Sequence, residues 1–474
     1  MASVSSAGIG SGLDVESIVT KLMSIEQRPV TQLKTQASTI QTKISAFGQL
    51  QSALSTFRDA AASLGRASTW AASTASSSDA GVRVSTSGGA PVGNYAVEVR
   101  SLAAAQSAVT GGYESADSLV GAGTLRVEIG SFGQAGFAPQ PNLDAINIDI
   151  SPTDSLTTVR NKINAAGAGV SAIIVNDATG ARIIISSTNP GTNSVFRTSG
   201  DGGAAAFAFE PGLDPGLNAM SQTQAAADAQ LRINGLDVTS PTNTLSDTVQ
   251  GMTINLLQPT TGTAQITVAQ DNEALKKSVD TFVESYNALA KILRTQTKYD
   301  ESTKTAGALQ GDSTAVGLQR QLRNILTGQS PASSVYATIN AVGVTMQADG
   351  TLKVDSTKLT AALNTNPGEV TRLFSAYTAR TSENDPDTDG IATRLRLFAD
   401  KVLASEGLLT TKTEGLNVSL KLNQRRQDEL NDRLALTEAR LRAQYTSLDT
   451  NMAKMSALNA YITNQVAAWN KSSG

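Results

Sequence analysis

The chain has 474 residues, of which 40% are hydrophobic and 4% aromatic, and its formal net charge is −3. This balance allows buried cores, about three domains by length, and excludes the strongly basic surface with which proteins attract nucleic acid or acidic lipid. Because cysteine and histidine are both absent, the chain has no thiol nucleophile, no disulfide and no thiolate or imidazole metal ligand.

The first residues contain a glycine-rich stretch, GIGSGLD, that leads into a predicted helix. Gly8, Gly10 and Gly12 fit neither a dinucleotide-binding loop nor a P-loop, and no hydrophobic strand precedes them. We interpret the stretch as a mobile lead into a helix whose N-cap is Asp14. The N-terminus has no basic region followed by an apolar one, so we expect no secretory signal peptide. No apolar run approaches the length of a membrane span, and we expect none.

The N-terminal region, from residue 14 to about 67, is predicted to be helical with a break at Pro29. Beyond the break the apolar residues step by three and four, which is the spacing of a coiled coil. The residues of this row that we take as a candidate assembly seam are Leu33, Ile40, Phe47 and Leu54.

The C-terminal region repeats the pattern more regularly, with apolar residues seven apart. They are Leu434, Leu441, Leu448, Met455, Ile462 and Trp469. Six heptad positions in succession favour a narrow seam against another helix over a single helix that lies on its own domain. We therefore add these six residues to the candidate assembly seam.

The middle of the chain carries β patterns instead. Alternating runs predict strands at 95–100, 125–130, 146–150 and 231–238, and a hairpin within 171–186 that turns between Asn176 and Gly180. A short helix is expected near Leu156 to Asn164. Loops rich in glycine and proline, at about 130–142 and 199–217, separate the β segments. From Glu273 the pattern returns to helix.

These predictions describe an α+β multidomain chain. Terminal coiled-coil helices and a helical domain enclose an inserted β-rich head, which we expect to contain two domains, one inserted in the other. The expected segments are N-terminal coiled-coil helices (1–75), a lead into the helical domain (76–98), the head (99–271), the helical domain (272–410) and a C-terminal coiled-coil helix (411–474).

One acidic stretch, DPDTDG at 385–390, resembles the first half of a calcium loop. Position twelve, however, is Arg396, where calcium requires a bidentate carboxylate. We therefore expect an acidic surface loop and no metal site. No motif of a nucleophilic or acid–base enzyme stands out, so we expect no catalytic residue and no cofactor.

Two aromatic residues in the head, Phe207 and Phe209, lie among glycines and alanines. They are either tucked into a β domain or exposed for contact with a surface. The second alternative makes them a candidate adhesive tip.

Several blocks of the chain resemble the flagellar filament cap family, the hook-associated protein 2 or FliD family. The blocks occur in the family's order and include both ends of the chain. They are GIGSGLDVESIVTKLMSIEQRPV at 8–30, VDTFVESYNALAKIL at 279–293, LQGDSTAVGLQRQLRNIL at 309–326, GVTMQADGTLKVDSTKLTAALNTNPGEVTRLF at 343–374 and YTSLDTNMAKMSALNAYITNQV at 445–466. In addition, INGLDVTSPTNTLSDTVQGMTINLL at 233–257 resembles the IN motif of flagellar axial proteins. Tyr445 departs from the phenylalanine expected there.

The resemblance implies a structural protein that is exported unfolded through the flagellar channel and acts at the distal tip of the filament. It implies a homo-oligomeric ring of five or six subunits that guides flagellin into the filament. Further implied partners are the hook–filament junction proteins and, before secretion, a flagellar export chaperone. We expect the terminal coils to order only on docking, because a lone narrow seam buries too little surface to offset its ordering entropy.

The competing hypotheses are a surface adhesin that binds host glycan or mucin through the β-rich head, and an enzyme. An enzyme would require a pocket with clustered carboxylates of perturbed pKa.

Overall fold

The computed structural model describes residues 14–141, 143–302, 304–379 and 388–472. Within these ranges the helices are α1 (Val15–Glu26), α2 (Arg28–Leu64), α3 (Ala67–Trp70), α4 (Leu156–Ala165), α5 (Asn272–Thr297), α6 (Ser313–Thr327), α7 (Ser356–Thr365), α8 (Pro367–Ser375), α9 (Ile391–Leu403) and α10 (Leu408–Ser472). The chain forms two compact units, one from residues up to Ala67 together with those from Lys276 onward, the other from Ser68 to Leu275.

The strands are concentrated in the second unit. They are β1 (Ser73–Ser77), β2 (Val82–Thr86), β3 (Gly93–Ser101), β4 (Ser107–Val109), β5 (Gly123–Gly133), β6 (Gly136–Pro139), β7 (Ile146–Ile150), β8 (Val170–Asp177), β9 (Gly180–Ser187), β10 (Val195–Gly200), β11 (Ser221–Gln224), β12 (Ala229–Ile233), β13 (Leu236–Ser240), β14 (Thr244–Val249), β15 (Met252–Leu256) and β16 (Ala264–Gln270). The short hairpins β17 (Tyr299–Asp300) with β18 (Thr305–Ala306), and β19 (Val344–Met346) with β20 (Leu352–Val354), belong to the helical unit.

The β-rich unit contains two hydrophobic cores, which define two lobes. Lobe A is built from a sheet of order β1-β16-β3-β12-β13 and a sheet of order β14-β15-β2. Lobe B is inserted between β3 and β12. It contains a sheet of order β10-β5-β6, in which β7 also pairs with β5, a sheet of order β11-β4-β9-β8, and helix α4. The β-rich unit thus consists of two lobes, with the strands of lobe B lying between β3 and β12 of lobe A in the chain.

The β-rich unit begins earlier in the chain than the expected head, 99–271. Strand β2 and the first part of β3 lie in the segment 76–98, which we expected to lead into the helical domain. Each of these strands pairs with one from the far end of the unit, β2 with β15 and β3 with β16. Their β structure thus depends on long-range pairing, which the local pattern of this Ser- and Thr-rich stretch does not show.

Two turns illustrate how local sequence shapes the head. The hairpin of β8 and β9 turns between Asp177 and Gly180, as predicted. The run 231–238, predicted as one strand, is instead the hairpin of β12 and β13. Asn234 and Gly235 both have positive φ, 47° and 87°, which is the backbone of a two-residue hairpin turn and favours this Asn-Gly pair.

The two predicted loops of the head contain more regular structure than expected. The segment 130–142 contains the end of β5 and all of β6, joined in a tight hairpin. The segment 199–217 contains two short 3-10 turns, Gly202–Phe207 and Pro215–Leu217.

The helical unit is organised around α2, α5, α9 and α10. The Phe57 ring of α2 lies 5.5 Å from the Phe282 ring and 5.8 Å from the Tyr286 ring, both on α5. Tyr286 donates its hydroxyl hydrogen to the Gly350 carbonyl, 3.1 Å away, in the turn between β19 and β20. The N-terminal helix α2 is therefore part of the same core as the helices that follow the head.

No helix in the described ranges is both long and apolar enough to cross a membrane.

Candidate functional site

The terminal helices form the candidate site, and α1 begins where the sequence predicts. The Asp14 carboxylate accepts a hydrogen bond from the Ser17 N–H at 2.9 Å, as an N-cap residue does. Helix α1 ends at Glu26, and α2 starts at Arg28 with Pro29 in its first turn. Proline fits this position because the first N–H groups of a helix have no intrahelical partner. The predicted break is thus confirmed.

Helix α1 covers one part of the heptad row on α10. Val15, Val19 and Met23 are four residues apart, so they share one face of α1, and all three are buried. The partly buried residues packed against them are Leu434, Leu441 and Tyr445 of α10. Full burial of one valine or methionine side chain stabilises the folded state by about 1.5–3 kcal/mol. At Leu434 and Leu441, the helix that packs against the predicted seam is therefore α1 of the same chain.

An ion pair reinforces this contact at the surface. The Arg442 guanidinium of α10 donates to both carboxylate oxygens of Glu16, with Nη2 to Oε1 at 2.9 Å. It also donates from Nε to Glu438, one turn earlier, at 2.9 Å. The hydrogen bonds from Arg442 hold the pKa of Glu16 below its ordinary value, and the two carboxylates raise the pKa of Arg442.

The second half of the N-terminal row, Phe47 and Leu54, lies in the core of the helical unit. Phe47 and Leu54 are fully buried, whereas Leu33 and Ile40 are half-buried. The Lys412 ammonium of α10 lies 5.8 Å from the Phe47 ring centroid and 2.9 Å from the Asp312 carboxylate. Phe47 and Leu54 therefore cannot belong to a seam between molecules. Heptad spacing identified the buried face of α2 but not the partner that covers it.

A polar contact interrupts the apolar seam between α2 and α10. Asn423 of α10 is buried, and its amide oxygen accepts a hydrogen bond from Gln427 at 2.6 Å. Its amide nitrogen lies 3.5 Å from Gln36 of α2. A buried amide in a helical seam opposes slippage, because any other register leaves its polar atoms without partners. Sequence analysis missed this residue, although it is a polar residue at an inward-facing position.

Beyond α1, the described part of the heptad row of α10 is exposed to solvent. Leu448, Met455, Ile462 and Trp469 are exposed, Met455 at 72% and Trp469 at 73% of their surface. Met452 and Val466, each four residues after a member of this row, are exposed too. We call Leu448, Met452, Met455, Ile462, Val466 and Trp469 the distal stripe. A monomeric soluble protein rarely exposes so continuous an apolar surface unless it binds a partner.

The two residues of the candidate adhesive tip do not lie at the surface. Phe207 and Phe209 are both buried in the core of lobe B. The Phe209 ring lies 5.6 Å from the Phe196 ring, and the Phe207 carbonyl accepts a hydrogen bond from the buried Thr198 hydroxyl at 2.6 Å. The glycines and alanines around them belong to a 3-10 turn packed against β5 and β10, so the tucked alternative is the one observed.

The acidic stretch at 385–390 lies partly outside the described residues, which exclude Asp385 and Asp387. Asp389 is buried, and its carboxylate accepts a hydrogen bond from the Thr378 N–H at 2.7 Å. Arg396 donates to Asp400, one helical turn away, at 3.0 Å. Among the described residues no group of three or more acidic side chains has a metal-binding arrangement.

Comparison with known families supports the resemblance found in the sequence. The family model described as flagellar hook-associated protein 2 C-terminus matches residues 226–457, and the corresponding N-terminus model matches residues 11–106. The flagellin hook IN motif matches residues 137–189. Our placement of this motif at 233–257 was therefore wrong. The matched stretch contains β7, α4 and the hairpin of β8 and β9, whereas 233–257 contains the short strands β13, β14 and β15 and no helix.

Individual relatives agree over the whole length of the chain. The flagellar hook-associated protein 2 of Escherichia coli strain K12 is 32% identical over 98% of each chain. That of Salmonella typhimurium is 30% identical over 100% of each. The crystal structure of the D1-D2-D3 domains of the Escherichia coli flagellar cap protein FliD superposes with a TM-score of 0.63 at 31% identity, covering 78% of this chain and 99% of that one. The chain belongs to the flagellar hook-associated protein 2 family of flagellar filament cap proteins.

Proposed function

We propose that the chain caps the distal end of the flagellar filament as a ring of five or six copies and that its terminal helices seat the ring. Membership of the cap family supports the role at the tip. The observation that carries the seating mechanism is the distal stripe, because α1 covers the same heptad row at Leu434 and Leu441 and leaves it open from Leu448.

The stripe suits a helical partner. Its residues are seven apart with companions four further on, which matches the apolar seam of another helix and not a flat surface. The helix extends to Ser472, and residues 448–469 span about 32 Å at 1.5 Å per residue. Docking of this length against helices at the filament end would bury the stripe and hold the cap.

The remaining partners follow from the family and from this surface. We propose flagellin and the hook–filament junction proteins as the partners that the stripe meets, and an export chaperone that shields it before secretion. The role is structural and not catalytic. The adhesin hypothesis has no support, since Phe207 and Phe209 are buried.

The experiment replaces two stripe residues with charge. In a strain that lacks the native protein, a Met455→Asp/Ile462→Asp variant should be exported but not retained, and unpolymerised flagellin should appear in the medium, because two unpaired carboxylates cannot enter an apolar seam. The matched control is Ala457→Asp/Asn464→Asp, which places two charges seven residues apart on the opposite face of α10. The control should build filaments. Normal filaments from the first variant would overturn the seating role of the stripe.

A further inference from the structure

A cavity of about 480 Å³ lies beside the end of α2 and the start of α9, within the helical unit. Its lining includes three arginines, Arg58 and Arg66 from α2 and the residues that follow it, and Arg396 from α9. Among the described residues that line it, Asp400 is the one carboxylate. The cavity is therefore positively charged, although the whole chain has a net charge of −3.

The nearby carboxylates leave many of the arginine donors unused. Asp400 accepts from Arg396 Nη1 at 3.0 Å and lies 3.8 Å from Arg58 Nε. Arg58 also donates from Nη2 to Asp59, its neighbour in the chain, at 2.6 Å. Arg66 is exposed and forms no ion pair with a described residue. Because a guanidinium has five N–H donors, each of the three arginines keeps donors for a further anion.

The first turn of α9 borders the same cavity. The first N–H groups of a helix have no intrahelical partner, and the N-cap residue, Gly390, has no side chain that could accept from them. The Asp389 carboxylate, just before it, accepts from the Thr378 N–H at 2.7 Å. The start of a helix also carries partial positive charge, and phosphate groups bind at such helix starts.

A buried hydroxyl is the second feature that points to a ligand. Thr393, in the first turn of α9, lines the cavity although it is only 3% exposed. Its hydroxyl forms no hydrogen bond with a described residue. Buried hydroxyl groups ordinarily have a partner, so this one is available to a ligand in the cavity.

Gly65 leaves the space in front of this hydroxyl open. A Cβ atom at residue 65 would lie 3.4 Å from Thr393 Oγ1 and 3.6 Å from Thr393 N. The φ of Gly65 is −78°, which any residue adopts, so the backbone conformation does not require glycine here. The missing side chain instead keeps both donors of Thr393 accessible from the cavity.

We call Arg58, Gly65, Arg66, Thr393 and Arg396 the arginine pocket, and we propose that it binds a phosphate group. Guanidinium groups bind phosphate oxygens through pairs of parallel hydrogen bonds, and the start of α9 adds donors from a second direction. The cavity volume is in the range of small-molecule sites, so the phosphate is either the free anion or part of a small organic molecule. Since the pocket joins α2 to α9, bound phosphate should hold these helices together.

Hydrogen exchange and thermal melting of the full chain test the site, with inorganic phosphate as the probe at neutral pH. Phosphate that replaces chloride at constant ionic strength should raise the melting temperature in a saturable way, since a ligand of the folded state stabilises it. It should also slow exchange in the first turn of α9. Acetate at the same ionic strength should have neither effect. Glycerol 3-phosphate should protect the same peptide, and tighter binding than that of inorganic phosphate would identify an organic phosphate as the preferred ligand.

Two matched pairs of variants locate the binding. Gly65→Ala places a methyl group in front of the Thr393 donors and should weaken phosphate binding. Gly48→Ala, on the same helix, is its control, because a Cβ atom there meets nothing within 4 Å. Arg66→Gln should raise the dissociation constant of phosphate by about tenfold or more, whereas Arg320→Gln, at an exposed position of α6, should leave it unchanged.

Three results would overturn the proposal. They are no protection of α9 by either phosphate compound, equal protection by acetate, and unchanged phosphate affinity in both Gly65→Ala and Arg66→Gln. If circular dichroism shows that Gly65→Ala does not fold, Arg66→Gln decides, because Arg66 is exposed. None of these residues belongs to the distal stripe, so failure of the phosphate site would leave the seating of the cap untouched.

Discussion

Arg442 of α10 donates hydrogen bonds from two guanidinium nitrogens to the Glu16 carboxylate of α1, although the two residues are 426 positions apart in the chain. The contact stands at the end of the apolar patch formed by Val15, Val19 and Met23. It ties α1 to the long C-terminal helix just before the distal stripe begins. The attachment of α1 therefore determines where the covered part of the heptad row ends.

The first prediction concerns pH and this attachment. The pKa of Glu16 is lowered in the folded chain by hydrogen bonds from Arg442. The ion pair of Glu16 with Arg442 therefore stabilises the attachment of α1 above the ordinary pKa of a glutamate. This stabilisation is lost as the pH falls through the lowered pKa of Glu16. Hydrogen exchange of the α1 amides should accelerate as the pH falls through this range, after correction for the intrinsic pH dependence of exchange.

A Glu16→Gln variant should remove that pH dependence and exchange faster in α1 at neutral pH. Glu26→Gln, on the same helix but without an ion pair to a described residue, is the control and should behave like the unmodified chain. If Glu16→Gln kept the pH dependence of the unmodified chain, the ion pair would not be its source.

The second prediction separates the two halves of the N-terminal row. Phe47→Ala removes a fully buried ring and should lower the free energy of unfolding of the helical unit by about 3–5 kcal/mol. Leu33→Ala removes a half-buried side chain and should lower the free energy of unfolding by clearly less than Phe47→Ala does. Urea denaturation followed by far-UV circular dichroism measures both. Equal losses would contradict the assignment of Phe47 to the core and Leu33 to its edge.

The third prediction concerns the polar contact in the α2–α10 seam. Asn423→Leu should keep or raise the melting temperature, since an apolar residue suits the buried position. It should also broaden the distribution of oligomers in size-exclusion chromatography with light scattering, because the register is then less well defined. Asn431→Leu, at an exposed position of the same helix, is the control. A single species with unchanged size from Asn423→Leu would show that this amide does not set the register.

A fourth prediction addresses calcium. Arg396 occupies the position where a calcium loop needs its closing carboxylate, and its guanidinium is engaged with Asp400. Added calcium or a chelator should therefore leave the melting temperature unchanged, since a ligand stabilises only above its dissociation constant. A calcium-dependent rise in melting temperature would contradict this.

The sequence predicted those features that depend on neighbouring residues. The cap at Asp14, the break at Pro29, the helix near Leu156 and the turn between Asn176 and Gly180 are all local signals, and the structure contains each. The run at 231–238 was wrongly predicted as one strand, because a hairpin and a single strand show the same alternation of apolar and polar residues. Only the Asn234–Gly235 pair distinguishes them.

Features that depend on distant partners were harder to predict. The heptad row of α2 marked a buried face, but only the fold shows that Phe47 lies in a core and that Leu441 is covered by α1. Our expectation that the terminal coils order only on docking did not anticipate these contacts, which bury one face of α1 and the second half of one face of α2 within one chain. The part of the row that remains open, from Leu448 onward, could not be separated from the rest by spacing alone.

The burial of the distal stripe on capping can be measured directly by thiol labelling. In an Ile462→Cys variant, a bulky maleimide should label the free chain rapidly and the filament-bound chain slowly, because the stripe is then covered. In an Asn464→Cys variant, on the opposite face of α10, the labelling rate should change little between the two states. Equal labelling of residue 462 in free and filament-bound chains would contradict the claim that the stripe seats the cap.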